Sequence, residues 1–152
     1  MAADPLYFDT SYLVRLYLED AHFERVRSLA AGGGILASSW HAQAEIIAAL
    51  HRAFREGRLV RERYMDAFDQ FKQERDSGHF RWCDLTEAVR TRVEMFFANA
   101  SATTHLRAAD ALHLACAAEH GFREVYSNDR HLLAATPLFG MKGINVIGSD
   151  AP

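Results

Sequence analysis

Leu6-Tyr7-Phe8-Asp9-Thr10-Ser11, near the start of the chain, joins a short apolar run to an acid and two hydroxyl residues. Such a run, closed by residues that favour helix N-termini, predicts a buried strand handing over to a helix. Thr10 or Ser11 can cap that helix, in which Leu13, Leu16 and Tyr17 recur at helical spacing. The pattern returns late in the chain, where Val125-Tyr126-Ser127-Asn128 ends in Asp129 and a short helix with Leu132 and Leu133 follows. If the two runs are neighbouring parallel strands, both carboxylates project from the same edge of a sheet.

Between these ends, strands and helices alternate. A helical stretch over 21–30 stops at Gly32-Gly33-Gly34, and residues 35–37 form a second strand. Ser38 or Ser39 then caps a helix carrying Ala44, Ile47, Ala48 and Phe54, which Gly57 ends. Residues 59–75 make a charged amphipathic helix with Tyr64, Phe68 and Phe71 on one side. A third strand over 80–85 leads to a helix opened by Thr86 and ending near Asn99. After a polar connection over 101–106 comes a helix with Ala109, Leu112, Ala115 and Cys116, for which Gly121 is a C′ residue. Residues 144–147 form a last strand. This alternation predicts an α/β fold with a parallel sheet of four to five strands covered on both faces. In such sheets ligands collect outside the carboxyl ends of the strands, where strand order reverses, and strands one and four would meet there.

The 152-residue length favours a single domain, 1–152, with room for an ordinary core. Hydrophobic residues at 49% and charged residues at 24% exclude a disordered chain. A net charge of −3 argues against a strongly basic nucleic-acid-binding surface, although bound cations would reverse the local field. Cys83 and Cys116 form no CxxC, which points to a reduced, cytoplasmic protein with buried thiols. Met1-Ala2-Ala3-Asp4-Pro5 lacks the marks of a signal peptide, and charge interrupts every apolar stretch too often for a membrane span.

Asp9, Glu45, Asp110 and Asp129 each stand where one element gives way to another or on a helix able to reach the Asp9 edge. Clustered carboxylates repel one another and are costly to keep ionised without a cation. Oxygen ligands of this kind select Mg²⁺ or Mn²⁺, which points to metal-assisted phosphodiester chemistry. Asp110 is the most telling of the four, because Ala108, Ala109, Ala111 and Leu112 surround it with apolar sequence. Arg15, Arg52 and Arg107 are candidates for phosphate contacts, since a guanidinium meets phosphate in a bidentate manner.

Four ordered segments resemble the PIN-domain ribonucleases, and specifically their VapC-type toxin branch. They are Leu6-Tyr7-Phe8-Asp9-Thr10-Ser11; Ala44-Glu45-Ile46; Arg107-Ala108-Ala109-Asp110-Ala111-Leu112-His113-Leu114-Ala115; and Ser127-Asn128-Asp129-Arg130-His131-Leu132. The resemblance runs from the first strand to the last. It implies a three-layer α/β/α sandwich and Mg²⁺- or Mn²⁺-dependent cleavage of RNA. Asp9, Glu45, Asp110 and Asp129 match the family's acidic quartet. Thr10 or Ser11, and Ser127, match its small hydroxyl positions near the metal, with Ser127 standing where Thr is commoner. The resemblance further implies a homodimer and a small antitoxin protein that docks a helix over the acidic pocket. Extra length around residues 58–78 leaves room for a PIN domain outside a toxin–antitoxin pair. Within the implied mechanism Asp9 is the principal or bridging ligand, and Asp110 and Asp129 complete the set. Glu45 either holds metal through water or orients the nucleophile, and one or two ions remain open.

Plainer roles compete with each of these. Asp9 and Asp129 are favoured N-cap residues, and any arginine can be solvated or salt-bridged. His41 and Glu45 share a helix face at i, i+4, but there is no HExxH and no third ligand stands out, so zinc is not expected. His113 is expected to pack or bond locally. Two rival functions remain: a PIN-like module that binds RNA or protein without cutting, and phosphoryl transfer through Asp9. The second expects another acid two residues after the nucleophile, where Ser11 stands.

Overall fold

Tyr7, which ends the first strand, and Phe8, which extends it as a single bridge, are both fully buried yet belong to opposite faces of one sheet, as a two-residue period requires. The computed structural model describes residues 4–148. Strand β1 (Leu6–Tyr7) pairs in parallel with β2 (Leu36–Ser39), and β2 pairs in parallel with β3 (Phe80–Cys83). On its other side β1 meets β4 (Glu124–Tyr126) through a parallel bridge, Phe8 to Tyr126, and a hydrogen bond from Asp9 N to Tyr126 O of 3.0 Å. β4 in turn pairs in parallel with β5 (Lys142–Ile144). The strands therefore run in the order 3-2-1-4-5, as ladders of three and two strands joined at the β1–β4 seam. Strand order reverses at that seam, where the sequence places the switch point.

Helices cover both faces. On the Phe8–Leu36 face lie α1 (Thr10–Leu13) with its 3-10 continuation (Val14–Leu16), α2 (Phe23–Ala31), α3 (Ala42–Arg55) and α4 (Arg61–Asp76). On the Tyr7–Ala37 face lie α5 (Glu87–Asn99), α6 (Ala108–Glu119) and α7 (Arg130–Ala135). The three-layer α/β/α sandwich is thus present. α6 is built largely of alanine, with Ala111, Ala115 and Ala117 fully buried, and this lets it press against both α5 and β2. No helix is long and apolar enough to cross a membrane among the described residues.

Several boundaries differ from the sequence reading. The first helix is capped by Asp9, whose carboxylate accepts from Tyr12 N, rather than by Thr10 or Ser11. Ser38 and Ser39 belong to β2, where both are fully buried. Ser38 Oγ donates 2.7 Å to Phe8 O and so ties β2 to β1 instead of capping α3. The last strand lies at Lys142–Ile144, ahead of the expected 144–147. The cause is Asn145, whose Oδ1 accepts from Tyr12 Oη (3.0 Å) and from Ile147 N (3.0 Å), while Val146 N donates to Tyr12 Oη (2.7 Å). These bonds turn the chain away from β4. Thr86 caps α5 as expected, accepting from Val89 N. The leader-free reading of the N-terminus rests partly on residues 1–3, which lie outside the described residues.

β5 lies close against α7 and the turn that follows it. A Cβ at Gly143 would come within 2.7 Å of Thr136 Oγ1, 2.8 Å of Leu133 Cδ2 and 3.4 Å of Leu133 Cα. Gly143→Ala is therefore expected to destabilise the protein by about 1–3 kcal/mol, the usual cost of overpacking. Thermal or denaturant unfolding measures it; an unchanged midpoint would show that α7 gives way freely.

Candidate active site

The acids meet where β1 and β4 end. Asp9 follows β1, is 3% exposed, and caps α1. Asp129 closes the turn after β4 and caps α7, accepting from His131 N and Leu132 N at 2.9 Å each. Glu45 arrives from the first turn of α3 on one face of the sheet, and Asp110 from the first turn of α6 on the other. All four line one cleft of about 310 Å³, together with Thr10, Ser11, Arg15, Arg52, Arg58 and Arg107. The N-cap roles of Asp9 and Asp129 and their places in the cleft are therefore compatible, because a carboxylate offers about four acceptor sites.

Asp9 illustrates this. Its Oδ1 accepts from Ser11 Oγ (2.6 Å) and Tyr12 N (3.2 Å), and its Oδ2 accepts from Ser127 Oγ. Ser11 Oγ also accepts from Asn128 N (3.0 Å), and Ser127 Oγ from Asp129 N (2.9 Å). The two hydroxyls thus fasten the carboxylate to both chain segments across the seam. Burial raises the Asp9 pKa, while the His113 imidazole and the bonds from Ser11, Ser127 and Tyr12 act against that rise.

Arg107 spans two of the acids. Its Nε donates 3.1 Å to Asp110 Oδ2, and its Nη2 lies 3.5 Å from Asp129 Oδ2. Burial pushes the Asp110 carboxyl up and Asp129 adds to the rise, with Arg107 opposing both. Arg107 is 80% exposed along its side chain, so this guanidinium is free to leave. Arg52 lies on the rim, 3.5 Å from Glu56. Arg15 differs from the other two: it is buried, its Nε donates to Ala21 O (3.0 Å) and its Nη1 to Ser11 O (2.7 Å), which makes it a brace beneath α1. Arg58, which sequence reasoning passed over, also lines the cleft and pairs with Asp20 at 3.0 Å.

Glu45 sits in a second network. Its Oε1 accepts from Thr10 Oγ1 (2.7 Å) and lies 2.9 Å from His113 Nε2 and 3.4 Å from His41 Nε2. Burial alone would raise the Glu45 pKa; His113, Thr10 and His41 together draw it down to about 2. Burial and the neighbouring His113 lower the His41 pKa to about 4. The expectation that His41 and Glu45 lack a third partner is overturned. His113, three residues after Asp110 and nearly fully buried, is brought to Glu45 by α6. The i, i+3 spacing of Asp110 and His113 was the signal that could have found it.

The quartet's chemistry fits a hard divalent cation: all its donors are carboxylate oxygens, and a guanidinium already bridges Asp110 and Asp129 as a cation would. As placed, no three of the four carboxylates bring oxygens within 4.8 Å of one another. Among the described residues, the group that does so is His41, Glu45 and His113.

The chain belongs to the PIN domain family, whose model matches residues 6–136. Among solved structures it is similar to VapC20 of Mycobacterium tuberculosis, described as a sarcin–ricin loop cleaving toxin. The two are 20% identical at a TM-score of 0.67, over 86% of this chain and 94% of that one. It is also similar to VapBC2 of Rickettsia felis bound to a DNA fragment from their promoter, with 12% identity and a TM-score of 0.63, over 93% of this chain and 98% of that one. No curated protein matches the chain.

The depressed Glu45 pKa sets a pH signature. The folded state holds this carboxylate ionised more firmly than the unfolded chain, so its contribution is fully present above the ordinary value of 4.5 and is lost as pH falls towards about 2. The stability difference between wild type and Glu45→Gln should therefore be constant above about pH 5 and shrink below it. Chemical denaturation across pH 2–7 measures this, and a difference that grows on acidification would contradict the network.

Proposed function

We propose that this chain is a metal-dependent endoribonuclease that hydrolyses RNA phosphodiesters, acting as a single nuclease domain and as the toxin of a type II toxin–antitoxin pair. The carrying observation is the convergence of Asp9, Glu45, Asp110 and Asp129 on one cleft at the carboxyl edge of the sheet, where strand order reverses, in a chain of the PIN family. The cleaving activity named for VapC20 supports RNA as substrate, and the paired VapBC2 assembly supports a small antitoxin as partner. Exposed apolar side chains on and beside α5, Met95 at 61% and Leu138 at 67%, border a separate cavity of about 550 Å³ and support a homodimer.

Bound at the quartet, Mg²⁺ or Mn²⁺ would activate water and offset charge on the phosphate and leaving oxygen. The protein's own groups prepare for this. Three of the acceptor sites on Asp9 are filled by Ser11, Tyr12 and Ser127, which fixes the direction of the remainder towards the cleft. Asp110 and Asp129 face it from α6 and α7, and Glu45, on a longer side chain held by Thr10, orients water. Arg107, exposed beside Asp110 and Asp129, would be available to phosphate with a metal bound at the quartet, and Arg52 stands at the rim where the RNA backbone would pass. Arg15 holds α1 in place from below.

Asp110→Asn should lower Mn²⁺-dependent cleavage of RNA by on the order of a hundredfold or more, since metal-ion stabilisation is worth several kcal/mol. Circular dichroism should stay unchanged. Induced expression of wild type, and not of the variant, should arrest growth. Metal-independent cleavage, or equal cleavage by both proteins, would remove the quartet from the chemistry. A protein that binds RNA and never cuts it would establish the non-cleaving module instead.

A further inference from the structure

We propose that His41, Glu45 and His113 form a binding site for a transition-metal cation of the Zn²⁺ type, distinct in chemistry from the carboxylate quartet and joined to it through Glu45. The three ligand atoms all lie within 4.8 Å of one another. His113 Nε2 and His41 Nε2 approach Glu45 Oε1 at 2.9 and 3.4 Å. Ligands at about 2.0–2.1 Å around a tetrahedral ion stand about 3.3 Å apart, so only small shifts are needed to admit one. Two imidazoles and one carboxylate, with a fourth position left for water, are a donor set that suits Zn²⁺, whereas Mg²⁺ prefers oxygen alone.

The surroundings of the rings supply an independent observation. A ligating histidine needs a partner for its other ring nitrogen, which fixes the tautomer and the ring's direction. Both rings have one: His113 Nδ1 lies 3.0 Å from Tyr7 Oη, and His41 Nδ1 is bonded to Ser39 Oγ. Tyr7 and Ser39 are themselves fully buried, so these partners are fixed by the core. The ring centroids lie 4.4 Å apart. Without a cation, His41 Nε2 donates to Ala109 O at 3.0 Å, which places its proton on Nε2. On binding, that proton resides on Nδ1 and is donated to Ser39 Oγ, while His113 Nδ1–H is donated to Tyr7 Oη. Each Nε2 lone pair is then directed at the ion.

Glu45 belongs to both sites, and the consequence follows. A carboxylate drawn onto a Zn²⁺ ion between α3 and α6 no longer orients water in the quartet's cleft, so zinc represses the nuclease. The repression rests on the proposed nuclease function, whereas the binding does not.

The test is calorimetric titration of the full-length protein with ZnCl₂ for wild type, His41→Gln and Asp110→Asn, after circular dichroism has shown each to be folded. Wild type is expected to bind one Zn²⁺, His41→Gln to bind at least about tenfold more weakly, and Asp110→Asn to bind as wild type. Titration with Co²⁺ should give the visible absorption of a nitrogen-ligated ion in wild type and lose it in His41→Gln. Absence of zinc binding by wild type would overturn the site. So would binding that survives His41→Gln and fails in Asp110→Asn, which would place the ion on the quartet. In RNA cleavage supported by Mn²⁺, added zinc should inhibit wild type and spare His41→Gln. If neither protein cuts RNA, the nuclease function fails while the titrations still decide the site.

Discussion

Burial of the Asp9 carboxylate at the seam between β1 and β4 is the constraint from which the rest of the structure follows. A carboxylate with 3% of its surface exposed is tolerable only when its acceptor sites are filled. Ser11 and Tyr12 N fill them from the chain after β1, and Ser127 fills them from the chain after β4. The two strands meet at the Phe8–Tyr126 bridge, where Asp9 N also donates to Tyr126 O, and the serine pair adds to the alignment between the two ladders. The same residues that stabilise the acid therefore fix the edge at which Asp110 and Asp129 arrive. Fold and site are joined in one hydrogen-bonded unit.

Charge in the cleft is managed by two different devices. Asp110 and Asp129 share the single positive charge of Arg107, an exposed side chain that a cation can replace. Glu45 is held by Thr10 and His113, which are built into α1 and α6, so its charge is stabilised by groups that do not leave. In this arrangement no three of the four carboxylates bring oxygens within 4.8 Å of one another. The second device holds the Glu45 carboxyl well below its ordinary pKa.

Much of this was legible in the sequence. The apolar runs ending in Asp9 and Asp129 gave parallel strands with acids at one edge, because burial and strand termination leave a two-residue signature. The alanine-rich setting of Asp110 marked it as more than a surface charge. What escaped was set by contacts distant in sequence. Ser38 and Ser39 look like caps, yet the pull of Phe8 O across the sheet keeps Ser38 in a strand. Asn145 looks like strand, yet Tyr12, more than a hundred residues earlier, turns it away. Arg15 looks like a phosphate ligand until Ala21 O and Ser11 O claim it. His113 was hidden because its partners, Tyr7, Thr10 and Glu45, come from three other elements.

α6 carries a further consequence. It presents Asp110 and His113 from a surface of alanines pressed between a helix and a sheet. In such packing an added methylene forces neighbouring side chains or backbone to shift. The segment that brings Asp110 and His113 to the cleft is thus also one whose buried positions tolerate little added volume, whereas α4 buries Ala67 and Phe71 and leaves most of its charged side chains in solvent.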